Sequence, residues 1–388
     1  MIYLDHNATA PLCEAALARL ETTLRGFHGN PASLHRAGQR ADALLEESRR
    51  IIASELGLDA ARLIFTSGAT EAANAIAHHL GRTHPAQPVA AVATEHSCVL
   101  DALRHHVPRG TLSVPVTPAG QPMLTPALFR GDDRPSALFA MLANNETGTL
   151  HDLTAITRQR PFDIPLAVDL TQAVGRIPLD LPATLRDDGF LFGSGHKMGA
   201  PIGIGFLHLP RNTEWTPLLW GGGQEDARRS GTQNAPLAAA FAAAIQDRTA
   251  RYPDLVKQTS RRQQLATSLA AIHPNVRILG ESQRHLWNTL TFVAPQLADC
   301  RQRWTVRLDK AGFAVSSGSA CSAGSGKASH VLKALGLREG EADRTLRVSW
   351  GWETPDEHLD KFVRTFREIC EQNVPRGTQR NEESTQHA

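Results

Sequence analysis

The chain has 388 residues, of which 41% are hydrophobic, 21% charged and 5% aromatic, a balance that excludes disordered and fibrous classes. Its 41 basic and 39 acidic residues leave a net charge of +2, which gives no pull toward nucleic acid or an anionic membrane. At roughly 100–200 residues per domain, the length predicts two domains, each with its own core.

The first residues, Met1-Ile2-Tyr3-Leu4-Asp5-His6, carry charge where a secretory signal needs an apolar run. No stretch reaches the ~18 apolar residues of a membrane span. The five cysteines (Cys13, Cys98, Cys300, Cys321 and Cys370) are odd in number, widely spaced and without a CxxC pair. That pattern fits a reducing compartment, so a cytoplasmic protein is expected, with at least one thiol free for chemistry. Residues 34–56 place Ala41, Leu44, Leu45, Ile51, Ile52 and Leu56 at helical spacing, and Gly57 stands where a helix-ending glycine belongs. Seven short apolar runs follow, at 62–66, 88–94, 111–116, 136–142, 164–170, 189–192 and 202–209. Each is short enough to be a strand buried on both faces, and polar or helical segments separate them. The histidine pairs His78-His79 and His105-His106 read as solvated helix faces. Beyond Asn234 an Ala-rich helix and new strand-like runs at 287–293 and 345–350 predict a second unit. The expected fold is α/β: a large domain with a mainly parallel seven-stranded sheet (13–253) and a smaller α+β domain (1–12 with 254–373). Residues 374–388 are polar without apolar period and are expected to be a disordered tail.

Ligands in open α/β sheets bind at the C-terminal ends of strands, so the residues after each run are the candidates. Ser67-Gly68-Ala69-Thr70-Glu71 follows a strand and opens a helix, where backbone N–H groups and the helix dipole favour an anion. A plain helix cap fits that stretch as well. Gly193-Ser194-Gly195-His196-Lys197 offers two phosphate donors and a lysine whose desolvation would suit it to bond an aldehyde. Asp169 ends a buried run; it either caps the next helix or pairs with the protonated ring nitrogen of a pyridine cofactor. Glu95-His96-Ser97-Cys98 lacks a second cluster at ligand spacing, so no metal site is expected. Cys321 sits among small residues, Ser316-Ser317-Gly318-Ser319-Ala320-Cys321-Ser322-Ala323-Gly324, and reads as a reactive thiol. Arg347 is either a surface-strand arginine or, facing inward, a clamp for a carboxylate.

Taken in order, these segments resemble the cysteine desulfurases, fold-type I pyridoxal-phosphate enzymes related to class V aminotransferases. The resemblance runs through Tyr3-Leu4-Asp5, Gly29-Asn30-Pro31, Phe65-Thr66-Ser67-Gly68-Ala69-Thr70-Glu71, Thr94-Glu95-His96, Asn144-Asn145-Glu146-Thr147-Gly148, Asp169 with Gln172, Ser194-Gly195-His196-Lys197, Gly221-Gly222-Gly223-Gln224-Glu225, Arg229-Ser230-Gly231-Thr232 and Ser316-Ser317-Gly318-Ser319-Ala320-Cys321. The last motif is similar to the group with a long cysteine loop. The chain departs from the pattern at Ala10, Cys98 and Trp287, and after Cys321 it lacks a Leu-Glu-Pro.

The resemblance implies a pyridoxal 5'-phosphate cofactor bonded to Lys197, which also moves the Cα proton. His96 would stack on the ring, Asp169 pair with its nitrogen and Gln172 reach its oxygen. Ala69, Thr70, Ser194 and His196 would hold the phosphate, with Thr232 entering from the neighbouring subunit of a homodimer. Asn145 and Arg347 would grip the substrate L-cysteine, and Cys321 would take its sulfur as a persulfide for a sulfur-acceptor protein, releasing alanine. Sister readings on the same fold are a selenocysteine lyase or another class V enzyme; a different class altogether is a non-catalytic sulfur-relay scaffold.

Overall fold

The computed structural model describes residues 1–26, 28–299, 303–317 and 329–373. A two-residue strand β1 (Ile2–Tyr3) is followed by helices α1 (Glu14–Gly26) and α2 (Arg36–Leu56). His35 caps α2 through its ring nitrogen, and Gly57 ends it in the left-handed conformation at φ 66°, which favours glycine. All seven predicted runs form strands of one sheet: β2 (Leu63–Thr66), β3 (Val89–Val92), β4 (Thr111–Val114), β5 (Leu138–Phe139), β6 (Leu166–Asp169), β7 (Phe190–Ser194) and β8 (Gly205–His208). Their order is β2-β8-β7-β6-β5-β3-β4. The pairs from β7 through β4 are parallel, and β8 runs against both its neighbours.

Side-chain alternation sends each strand into two cores. Leu63, Phe65, Leu166 and Val168 face α2 and the helix Ala235–Thr249, whereas Ile64, Ala167, Phe190 and Phe192 face α3 (Ala69–Thr83) and α4 (Ser97–His106). Burial on both faces fails at the sheet edge, where Val114 is the only buried residue of β4. An edge strand with one solvated side needs no continuous apolar run. The histidine pairs also divide. His79 is buried, stacks on Trp215 at 4.9 Å and accepts from the Thr216 N–H, so it is a core residue and not part of a solvated face.

A third core joins Leu4 to residues of the later chain, including Leu265, Trp287, Phe292, Val348, Phe362 and Phe366. It is built on the antiparallel sheet of β9 (Arg277–Ile278), β10 (Thr289–Val293) and β12 (Thr345–Ser349), in the order β12-β10-β9. The first residues reach it by pairing β1 with β11 (Phe313–Ala314) in parallel. No helix among the described residues is long and apolar enough to cross a membrane.

Candidate active site

The C-terminal ends of β2, β3, β6 and β7 open on one cavity of about 380 Å³. Nine of the sequence-predicted residues line it: Ala69, Thr70, His96, Asn145, Asp169, Gln172, Ser194, His196 and Lys197. Thr232 is exposed and outside it. Arg347 lies one layer behind, donating to the Asn145 carbonyl, and Cys321 lies outside the described residues.

At the end of β2, helix α3 begins with Gly68 as its cap residue and no side-chain hydrogen bond there, so the plain-cap reading does not hold. Closeness of backbone makes the turn: a Cβ on Gly205 of β8 would stand 2.6 Å from the Gly68 Cα, and one on Gly68 would meet the Ser194 hydroxyl at 3.4 Å. A helix N-terminus with Thr70, Ser194 and His196 beside it is a donor set suited to a phosphate. His196 Nδ1 lies 3.1 Å from the Thr9 hydroxyl, and burial pushes its pKa down to about 4.

Asp169 accepts the Thr171 N–H at 2.8 Å, but it caps no helix: a turn follows it and the next helix begins only at Ala183. Among the described residues it forms no ion pair, and burial raises its pKa against the pull of Thr171, His96 and Lys197. A buried carboxylate in that state is completed by a cation such as a protonated ring nitrogen. Burial lowers the pKa of His96, which leaves a neutral ring at neutral pH; its Nδ1 accepts from the Cys98 N–H and caps α4. Lys197 Nζ donates to the carbonyls of Asn7 at 2.9 Å and Ala8 at 2.6 Å. Phosphate donors, a carboxylate and an amine around one cavity fit pyridoxal phosphate.

The arginine expected to grip a substrate carboxylate is already paired inside the protein. Arg347 Nη2 donates to Asp5 at 2.7 Å, while its Nε is buried with no partner among the described residues. Several neighbours were given no role from the sequence. Asn7 ties the chain start to both halves: its amide donates to Asn145 O and Thr289 Oγ1, and its side-chain oxygen accepts from Arg176. Glu146 accepts from Ser329 Oγ at 2.6 Å, where the chain returns beyond Cys321.

Glu95 is fully buried, accepts from the Met141 N–H at 2.6 Å, and has a second oxygen with no partner among the described residues. Burial, aided by the nearby Asp169 charge, raises its pKa well above the ordinary 4.5. The folded state therefore holds a proton that the unfolded chain releases near pH 4.5. Stability from this group is intact below that pH and falls as pH rises toward the higher folded value. Glu95→Gln keeps the Met141 bond without the ionisation. Its melting temperature relative to the parent is expected to be more favourable at pH 8 than at pH 5; an equal difference at both values would refute a proton held by burial.

The family profile described as Aminotransferase class-V matches residues 2–362. Cysteine desulfurase 2 of Trichormus variabilis is 32% identical over 377 residues, covering 96% of this chain and 93% of that protein. Cysteine desulfurase NifS of Azotobacter vinelandii is 31% identical over 378 residues, with 96% and 93% covered. The chain belongs to the cysteine desulfurases, within the class V aminotransferases. Enzymes of this family depend on pyridoxal phosphate. The desulfurase fold matches a NifS-like protein with a TM-score of 0.85 at 27% identity, over 96% of this chain and 99% of that one. A NifS-like protein from Rickettsia africae follows at 0.83 and 29%, with the same coverage.

Proposed function

We propose that this protein is a cysteine desulfurase that converts L-cysteine to L-alanine and passes the sulfur to Cys321. The observation that carries the reading is that Lys197 and Asp169 share one cavity with the uncapped start of α3. When bound there, pyridoxal phosphate would supply an electron sink that makes the substrate Cα–H bond acidic. Lys197 holds the cofactor aldehyde and moves the Cα proton. His96, neutral through burial, lies against the ring and is available to accept or return a proton. Asp169 keeps the ring nitrogen protonated, and Gln172 donates toward the ring oxygen. Ala69, Thr70, Ser194 and His196 hold the phosphate. The exposure of Thr232 fits a role in a neighbouring subunit, as in a homodimer.

Asn145 orients the substrate carboxylate, and Arg347 grips it by giving up its Asp5 partner. The Cys321 thiolate bonds to the substrate sulfur as the sulfur–carbon bond breaks; the carbon keeps the electron pair and takes up a proton, giving alanine and an enzyme persulfide. That persulfide serves an acceptor protein in iron–sulfur or thio-modification chemistry. We also read the chain as two units, 13–253 and 1–12 with 254–373, so the N-terminal segment bearing Asn7 belongs to the second unit and serves the site of the first.

Mass spectrometry after turnover with L-cysteine is the test. One added sulfur atom is expected on the peptide carrying Cys321, and Cys321→Ala is expected to lose both the label and sulfide release. Unchanged sulfide yield from Cys321→Ala would sink the persulfide role, and no alanine from the parent protein would sink the activity.

A further inference from the structure

We infer that Arg176 is a positioning residue that locks the side-chain amide of Gln172, so that its nitrogen and not its oxygen is free to serve the cavity. Gln172 lines the cavity, whereas Arg176 lines a separate void of about 20 Å³ behind Lys197. Arg176 Nη1 donates to Gln172 Oε1 and, at 2.9 Å, to Asn7 Oδ1; its Nη2 donates to His6 O at 3.2 Å and Lys197 O at 2.9 Å.

A guanidinium has only donors, so the amide atom facing it must be the oxygen. Gln172 Nε2 is then turned to the Asn7 carbonyl at 3.0 Å, which takes one of its two hydrogens. The other N–H remains a donor, and a flipped amide would present a lone pair in its place. The lock is strong because it is buried. Arg176 is 3% exposed, and among the described residues it pairs with no carboxylate, only with neutral oxygens. Burial, with the charges of Arg347 and Arg248 nearby, pushes its pKa down to about 9, so it stays cationic at neutral pH.

The inference rests on the reading that the cavity holds pyridoxal phosphate with Gln172 toward the ring oxygen, an atom that accepts hydrogen bonds. Loss of a donor to that oxygen raises the pH midpoint at which the visible absorbance of the bound cofactor changes. Other ionisable groups face the same cavity, namely His96, Cys98, Asp169, His196 and Lys197, with Glu95 behind Asp169. The comparison is therefore made between variants at fixed surroundings, on the cofactor-loaded protein.

Gln172→Leu is expected to raise the midpoint by ~0.5–1 unit, the size of one net hydrogen bond. Arg176→Met should raise it as well, through the lost lock and the lost charge. In the Gln172→Leu background only the charge part remains, so a clearly smaller shift there supports the lock, and an equal shift overturns it. Arg176→Lys keeps the charge without the fork; a raised midpoint supports the inference and an unchanged one overturns it, even where the Met variant fails to fold. No shift from Gln172→Leu overturns the inference while the cofactor reading stands. A parent protein with no visible band after pyridoxal phosphate is added overturns both, and the two failures are thereby told apart.

Discussion

Lys197→Ala is expected to reduce turnover of L-cysteine by roughly a thousand-fold or more, because one amine supplies both the bond to the cofactor and the movement of the Cα proton. Proton transfer by a positioned side chain is itself worth about 10²–10⁴ in rate, before any loss of cofactor is counted. The fold should survive the change. Lys197 sits in the single turn Gly195–Lys197 that closes β7, and what Arg176 grips is the Lys197 backbone carbonyl, which alanine retains. The half-buried side chain donates to the Asn7 and Ala8 carbonyls, and on its removal the Asn7 carbonyl still accepts from Gln172 at 3.0 Å while Ala8 is itself half-buried. Circular dichroism should therefore match the parent while borohydride reduction fixes no pyridoxyl group on the chain. A variant still labelled by borohydride, or one within tenfold of parental kcat, would remove Lys197 from the role assigned to it.

What the sequence made legible has a common physical cause. The seven strands show because burial on both faces demands continuous apolar runs, and the one solvated exception, β4, carried the weakest pattern of that kind. Lys197, Asp169 and His96 show because they follow those runs, where a parallel sheet presents its ligands. Cys321 drew notice through the small residues around it, and its reaction came only from the family. The supporting layer was not legible as such, although Glu95 and Glu146 stand within motifs of the resemblance. Arg176, Glu95 and Glu146 are buried, yet in sequence each is a charged residue of the kind that ordinarily faces solvent. What identifies them is a partner: Ser329 for Glu146, and Asn7 for Arg176, 169 positions away. Asp5 and Arg347 are 342 apart, and their contact depends on β12 meeting the chain start. No periodicity encodes such pairs.

The backbone just beyond Gly221-Gly222-Gly223 is unusual. Glu225, Asp226 and Ala227 all have positive φ, at 52°, 53° and 61°. The left-handed conformation costs an ordinary residue ~1–2 kcal/mol, so three in succession need a strong hold. Glu225 supplies it. Its side chain is fully buried, receives Arg49 Nη1 at 2.6 Å and Nη2 at 3.1 Å, and also accepts the Phe65 N–H at 3.2 Å. Burial opposes the Arg49 cation, but its bonds to Glu225 outweigh that and its pKa is raised. The Arg49 guanidinium also packs 4.8 Å over the Phe65 ring. A few residues on, Arg229 grips Glu71 in the first turn of α3 at 2.8 and 3.1 Å, and Glu71 accepts the Ser67 N–H. The pair thus pins the segment that braces the phosphate end of the cavity.

Arg49→Met strands the Glu225 carboxylate in the interior, and breaking a buried pair this way costs about 3–5 kcal/mol. The expected result is a melting temperature lower by several degrees in the cofactor-loaded protein, together with faster cofactor loss on dilution. Glu225→Leu should be less damaging, since Arg49 keeps Glu46 at 3.0 Å and the Leu63 carbonyl at 2.6 Å. The double variant Arg49→Met with Glu225→Leu should recover part of the loss, because no charge is left unpaired. Full additivity of the two single losses would mean that the ion pair is not what holds residues 225–227 in place.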